Sequence, residues 1–495
     1  MLGIALFTIA QAAGSTLVAA AVGLVAAFFT ARRSFLLRGV LLSLASVPLC
    51  LPALIMALGY VTVFGMSGVA NRLLTALLGL REPPITFLYT AGGLVLAQGF
   101  YNFPLVMATV GDTWARLPTD EADCARLLGA SEARIFRTIT LPQLSGAIVS
   151  ACIPVFLFCF FSFMLVLLFG GVGCTTLEVE IYRALRGKLD FARAARLATA
   201  ETFVALAVVI LHGVLEHRTK RGIRGSERER EPITGLCERV CFAVFALTVS
   251  AFFVVPFICI LWNALTTAQG QVSLQTFAHV LRTKSFMSAL LGTLATAAAT
   301  GCCCALLAFS YAVFVRERER QLGACGKLLL RTLPMLPMAV SSVVVGMLLI
   351  ALVRQGNAAL LVAAQTVLYV PFAFRQLHAQ LSKLPDDTLD AARLFARHPL
   401  ATVVGVYLPC SVRGLLSAAG FCFAMSAGDT TLPLVLAIPR FNTLALFTYR
   451  FAGSYRFNEA CAAGLLLTLL CVGVFATANA LKEKPARRMT GAKSW

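Results

Sequence analysis

The stretch Asp123-Cys124-Ala125-Arg126-Leu127-Leu128-Gly129 is followed by nine residues and then by Ile139-Thr140-Leu141-Pro142. The same frame returns 267 residues later as Asp390-Ala391-Ala392-Arg393-Leu394-Phe395-Ala396, nine residues, and Val406-Tyr407-Leu408-Pro409. The register holds beyond the motif: Pro104 matches Pro371, Arg116 matches Lys383, and Leu117-Pro118 matches Leu384-Pro385. Each copy is a polar segment between strongly apolar stretches. The pattern predicts a duplicated membrane unit that presents one short helix per copy to the same compartment. Two such helices form a pseudo-twofold docking surface for a partner.

The rest of the composition agrees. Of 495 residues, 59% are hydrophobic and 13% charged, and the mean hydropathy is +0.84. Soluble domains carry about 25% charged residues, so the chain reads as a polytopic all-α membrane protein. The net charge of +19 is not a nucleic-acid signal, because no basic stripe is interleaved with aromatics. Instead Arg32-Arg33, Arg218 to Arg239, Arg316 to Arg331 and Lys482 to Arg488 flank apolar spans. That is the positive-inside bias, with membrane lipid as the partner of the basic charge. The 16 cysteines lie mostly in apolar runs without zinc-type spacing, so neither a metal site nor a disulfide is expected, Cys174 in an outer loop included. No cleavable signal peptide is expected, since the charge order around Ala5 to Phe29 is the reverse of a signal's.

Eleven apolar spans can be drawn: 5–29, 39–65, 86–110, 144–170, 197–215, 239–263, 286–314, 328–353, 358–380, 411–437 and 459–481. Gly14-Ser15-Thr16-Leu17 resembles Gly292-Thr293-Leu294, so the first span matches the seventh and the sixth is extra. The expected organisation is a first five-span core over 1–216, a linker over 217–238, an extra span and outer loop over 239–285, and a second five-span core over 286–495. Placing the basic segments in the cytoplasm puts the N-terminus outside and the C-terminus inside, with both repeated helices inside. The loop 171–196 is then outside despite its arginines, and the charged linker Glu216 to Glu238 reads as a solvated, mobile connector.

In both repeats acids open the helix: Asp120, Glu121 and Asp123 in one, Asp386, Asp387 and Asp390 in the other. They suit the helix dipole. Small residues at Ala125 and Gly129, and at Ala392 and Ala396, lie four apart on one face and allow close approach of another surface.

These segments resemble the EAA motif of permease subunits of ATP-binding-cassette importers. Asp123, Ala125, Gly129 and Pro142 match in the first copy, and Asp390, Ala391, Ala392 and Pro409 in the second. Cys124 stands in place of an Ala, and Ala396 in place of the Gly. The resemblance implies a type I permease fold of two pseudo-symmetric five-helix cores plus one span. It implies coupling helices that dock a cytoplasmic ATPase dimer, and an extracytoplasmic binding protein that delivers solute to the outer loops, 171–196 and 438–458 foremost. Fused double permeases serve ferric iron, thiamine and a few other solutes. The stretches Gly170-Gly171, Thr175-Thr176-Leu177-Glu178, Ile181-Tyr182, Ala192-Arg193-Ala194-Ala195, Ser426-Ala427-Gly428-Asp429 and Gly453-Ser454-Tyr455-Arg456 resemble the thiamine type most. That type usually has six spans per half, so an opening span is expected to be absent here, either because the real start lies upstream of Met1 or because the protein has eleven spans. The resemblance implies a bacterial inner-membrane location.

Burying an ionisable group in a span costs at least about 2.5 kcal/mol. Asp429, deep in the tenth span, therefore either attracts a cationic solute such as thiamine or caps a broken helix. Ser162 is its repeat partner. Asn102, just before Pro104, lines the path or marks a kink, and Glu201 reads as interfacial. No G-x-x-x-x-G-K-[ST], H-E-x-x-H or G-x-S-x-G sequence is present. The expectation is thus a transport subunit with no catalytic residues, no cofactor and no nucleic-acid partner. A ferric-iron permease of the same family is the nearest alternative. A secondary transporter leaves the repeated helices without a purpose, and a membrane enzyme lacks clustered polar residues within the spans.

Overall fold

A bilayer core leaves backbone N–H and C=O groups no partner but each other, so apolar runs of this length fold as helices. In a computed structural model, which describes residues 2–43, 51–169, 175–219, 230–266, 271–319, 321–353, 355–396 and 398–483, ten helices are long and apolar enough to span a membrane. They are Leu2–Arg32, Ala53–Leu78, Ala91–Ala115, Glu132–Phe160, Phe191–Leu215, Leu236–Ala264, Phe286–Arg318, Ala358–Leu381, Leu400–Gly428 and Phe457–Ala478. A further apolar helix pair, Leu329–Ala339 with Ser342–Val353, is bent by 79° and brings the number to eleven if the pair is one span. Leu17, Phe203, Leu306 and Leu469 stand exposed on the outside of these spans, as lipid contact requires.

Four expected spans differ from those observed. The second begins at Ala53 rather than near residue 39, because Pro52 takes the cap position, and it turns at Gly65 to Gly68 before continuing as Val69–Leu78. The fourth ends at Phe160 and resumes as the separate helix Phe163–Phe169. The eighth is interrupted by a tight turn, Leu333–Ala339, where Pro334 and Pro337 supply no N–H. The tenth stops at Gly428, and Asp429 starts the next helix, Thr431–Leu436. The breaks at Ser162 and Asp429 fall at the same place in the two repeats.

The two halves share a hydrogen-bond pattern that corrects one alignment. The Thr8 hydroxyl accepts the Leu177 N–H at 3.0 Å, and the Thr293 hydroxyl accepts the Leu444 N–H at 2.7 Å. Ser15 bonds Gln98 Oε1 at 2.9 Å, and Thr300 bonds Gln365 Oε1 at 3.3 Å. Thr8 thus corresponds to Thr293 and Ser15 to Thr300, seven residues away from the match of Gly14-Ser15 with Gly292-Thr293. Seven residues are close to two helical turns and return to nearly the same face, so small-residue patterns look alike in either register.

Close packing of Leu2–Arg32 on Ala91–Ala115 depends on small residues at the crossing. A Cβ on Gly23 would stand 2.6 Å from Val106 Cβ, and one on Gly99 would stand 2.6 Å from Val18 Cβ. The halves are also interlocked. Leu54, Ile55 and Leu58 of the first half pack among Ala445, Phe447, Cys461 and Leu467 of the second. Val343, Val344 and Met347 of the second pack among Val179 and Ile181 of the first. The extra span lies against Ala53–Phe64, where the Tyr60 hydroxyl donates to the Phe252 carbonyl at 2.6 Å.

The linker is not a free connector along its whole length. Residues 220–229 lie outside the described residues, but Glu231–Pro232 pairs in parallel with Arg33–Ser34. Arg33 also forms ion pairs with Glu231, at 2.6 Å, and with Glu238. Nor is 171–196 a simple outer loop: the described part holds the largely buried helix Leu177–Tyr182 and the start of Phe191–Thr219. Its pseudo-repeat, Leu444–Gly453, is likewise largely buried. Cys174 lies outside the described residues.

Candidate functional site: a central cavity and two repeated helices

The repeated segments fold alike up to their ends. The first forms the helix Asp120–Leu127 and the second Asp386–Phe395, each with acids in its first turn. Inside each helix an arginine bonds the acid three residues earlier: Arg126 to Asp123 at 2.6 Å and Arg393 to Asp390 at 2.7 Å. Both chains then pass through a widened turn, Phe136–Thr140 and Val403–Tyr407, directly before Leu141-Pro142 and Leu408-Pro409. Pro142 and Pro409 lie just after these widened turns, inside the spans Glu132–Phe160 and Leu400–Gly428, and each removes one backbone N–H there.

The exits differ where the sequences differ. Gly129 adopts φ +81°, and the Ala130 N–H bonds the Ala125 carbonyl at 3.0 Å, a left-handed helix stop that favours glycine. Ala396 is extended, with φ −79° and ψ 128°. Ala391 and Ala392 lie within the second helix, as Ala125 lies within the first. The arginines also have different second partners. Arg126 binds Glu132 of its own segment at 2.6 Å, and Glu132 and then Asp123 raise the pKa of its guanidinium. Arg393 instead binds Glu317, at the end of Lys284–Arg318, at 2.7 Å.

Asn102, Ser162 and Asp429, which are far apart in sequence, line one cavity of about 280 Å³ between the halves. Asp429 caps the broken helix: its Oδ1 accepts the N–H groups of Thr431 at 2.9 Å and Leu432 at 3.2 Å. Its Oδ2 accepts the Gln365 side-chain N–H at 3.0 Å, and Gln365 Oε1 accepts the Ser426 hydroxyl at 2.6 Å. The carboxylate is therefore held by three direct hydrogen bonds while still lining the cavity. Asn102 donates to the Gln98 carbonyl at 3.0 Å within a helix that continues through Pro104.

Four polar atoms around this cavity have no hydrogen-bond partner among the described residues: Gln98 Nε2, Asn102 Oδ1, Ser162 Oγ and Thr430 Oγ1. All four residues are at least nine-tenths buried. Buried polar groups are ordinarily paired, so four orphans facing one cavity leave it able to hydrogen-bond a polar guest. Tyr101, Phe158, Phe161, Phe163, Tyr369 and Phe372 supply aromatic walls. Gln98 and Gln365 were not singled out in the sequence, although they stand at the 267-residue repeat spacing inside apolar spans and that signal was available.

Glu201 is not interfacial. It is fully buried, as is Glu178, and the Ser341 side chain lies beside both carboxylates. The helix carrying Glu201 begins at Phe191, so the residue lies well inside it, and Leu177–Tyr182 packs over it.

The chain belongs to the family described as binding-protein-dependent transport system inner membrane component, which it matches twice, over residues 19–221 and 320–490. It is a fused, multi-pass inner-membrane permease of the ATP-binding-cassette importers, a transport component rather than an enzyme. Its relatives include the thiamine transport system permease protein ThiP of Escherichia coli, 27% identical over 467 residues that cover 92% of this chain and 84% of that one. ThiP of Brucella suis is 27% identical over 494 residues, covering 96% and 87%. A solved bacterial ABC transporter involved in the import of the polysaccharide alginate aligns with 51% of this chain and 97% of its own, at 13% identity and a TM-score of 0.42.

Proposed function

We propose that this permease imports thiamine or a phosphorylated form of it, working with a cytoplasmic ATPase dimer and an extracytoplasmic solute-binding protein. The observation that carries the reading is the central cavity: a carboxylate, four orphaned polar atoms and aromatic walls between two pseudo-symmetric halves. An aromatic cation is attracted by a carboxylate and by ring faces. The resemblance of nearly the whole chain to thiamine permeases points the same way.

Asp123, Ala125, Gly129 and Pro142, with Asp390, Ala391, Ala392, Ala396 and Pro409, form the surface to which the ATPase subunits dock. ATP closure draws the two repeated helices together, and the halves rock so that the cavity opens alternately to each side. The repeated helices and the C-terminus face the cytoplasm and the N-terminus faces outward. The binding protein delivers solute at the opposite face, near the exposed tips around Arg186 to Phe191 and Gly453 to Arg456. Ferric iron is the alternative solute, and it calls for several oxygen ligands, whereas this cavity offers one carboxylate.

The test is uptake of labelled thiamine and of iron in cells carrying the permease with its partners. Accumulation of thiamine is expected. Accumulation of iron without thiamine sinks the substrate reading, and failure of an ATPase subunit to co-purify with the chain sinks the partner reading.

A further inference from the structure

Below the central cavity, toward the repeated helices, lies a second cavity of about 530 Å³ lined by Leu105, Thr109, Ser150, Gln376, Ser417 and others. The order along every shared helix places it on that side. In Ala91–Ala115 the central cavity takes Gln98 to Asn102 and the lower one Leu105 and Thr109. In Ala358–Leu381 the central cavity takes Leu368 and Tyr369 and the lower one Arg375 and Gln376. Only two described residues line both cavities, Phe158 and Phe372. Phe158 comes from the first half and Phe372 from the second. Their rings stack across the boundary with centroids 6.1 Å apart and planes inclined by 15°.

We propose that Phe158 and Phe372 form the closed gate between the solute cavity and the exit on the repeated-helix side. The proposal rests on the importer reading above. An apolar constriction blocks polar solutes by excluding the water that would accompany them. Stacked rings contributed by opposite halves separate when the halves rock apart, without breaking any hydrogen bond. The supporting helices are built to yield at this level. Pro371 directly precedes Phe372, and Pro154 lies one turn before Phe158, each inside its helix and each removing a backbone hydrogen bond. The repeat counterparts of the pair are Met425, which lines the central cavity, and Leu105, which lines the lower one. The gate is thus apolar on both diagonals and aromatic on one.

The test does not require knowledge of the solute. Ser162→Cys places a thiol in the central cavity, and no described cysteine lines either cavity. The permease with its ATPase subunits is placed in membrane vesicles and treated, from the repeated-helix side, with a polar thiol reagent that does not cross lipid. Mass spectrometry reads the modification at position 162, and Thr109→Cys in the lower cavity serves as the access control. Adding Phe158→Ala or Phe372→Ala should raise the labelling rate of Cys at 162 by about ten-fold, while Thr109→Cys labels equally with or without them. Phe158→Leu and Phe372→Leu keep most of the apolar bulk. They should give a rise of only about two-fold, and they test the same point should an alanine variant fail to insert. Unchanged labelling at 162 in all these variants overturns the gate, as does equal labelling in the Leu and Ala variants. If the parent shows no ATP-driven uptake of any solute, the importer reading fails and the labelling result stands apart from it.

Discussion

Arg393 binds Glu317 at 2.7 Å, and Tyr407 donates to the other oxygen of the same carboxylate at 2.6 Å. The second repeated helix is thereby tied to the end of the long helix Lys284–Arg318. Arg316, one residue before Glu317, adds bonds to Asp386 at 2.7 Å and to the Leu384 carbonyl at 3.0 Å. The first repeated helix instead holds Glu132 and Gln143, in the span Glu132–Phe160 that directly follows it. If the repeated helices receive the ATPase stroke, the first passes it to the span that follows it, Glu132–Phe160, and the second to a span that precedes it by about 70 residues, Phe286–Arg318. Glu317→Gln should leave the chain inserted but lower solute uptake per ATP by about three-fold or more, since a charge-assisted network is broken. Glu132→Gln, at an exposed pair, should have little effect. Equal effects of the two would remove the distinction.

Gly129→Trp and Ala396→Trp should each lower stimulation of the partner ATPase by about ten-fold, because a bulky ring at a close-packed docking surface excludes the partner. Gly129→Ala separates strain from docking: its φ of +81° penalises any side chain by about 1 kcal/mol, while nothing stands within 4 Å of a Cβ there. ATPase stimulation measured in reconstituted complexes decides the matter. Stimulation at the parent level in both Trp variants rules out the docking role.

Asp429→Asn keeps an oxygen acceptor for the Thr431 and Leu432 N–H groups but loses the charge. Thermal stability should stay close to the parent, while the KM for thiamine uptake rises by about ten-fold. Asp429→Ala should also lose about 0.5–2 kcal/mol, the usual cost of a lost cap. Uptake by the Asn variant with an unchanged KM would leave capping as the residue's whole contribution.

Thr8→Val and Thr293→Val each strand a buried backbone N–H, that of Leu177 or of Leu444. Each should cost about 1–3 kcal/mol in unfolding measurements. A loss in one half only would show that the two bonds, though equivalent in position, do not carry equal weight.

A reporter active only outside the cytoplasm, fused ahead of Met1, should be active, and one fused after Trp495 should not. The reverse result overturns the proposed orientation, which rests on the basic segments flanking the spans.

The repeated helices were legible because polar residues in an apolar chain are conspicuous and these occur twice in register. The roles of Asp429 were legible as alternatives, because a lone acid in a span has few physical explanations. In the fold it both caps a helix and lines the cavity. The register of the first span was not legible, since a shift of two turns preserves the buried face and only cross-helix bonds such as Ser15 to Gln98 reveal it. The break at Ser162 has no proline or glycine to announce it. Glu201 looked interfacial because hydropathy alone starts its span near residue 197, whereas the helix starts at Phe191. Phe158 and Phe372 are two of 36 phenylalanines, and nothing local distinguishes a ring that closes a passage from one that fills a core.

The interlocking of the halves through Leu54, Ile55 and Leu58 on one side and Val343, Val344 and Met347 on the other constrains how this molecule could change over time. Each copy of the duplicated unit completes its interior with residues borrowed from its sibling. A substitution in a borrowed segment is therefore judged by the packing of the other copy, so the two copies cannot drift apart freely there. The second partners of Arg126 and Arg393, each used once, lie outside that constraint. Covalent fusion keeps lender and borrower at one-to-one stoichiometry and at high effective concentration, which suits a pair neither of whose members has a finished interior alone.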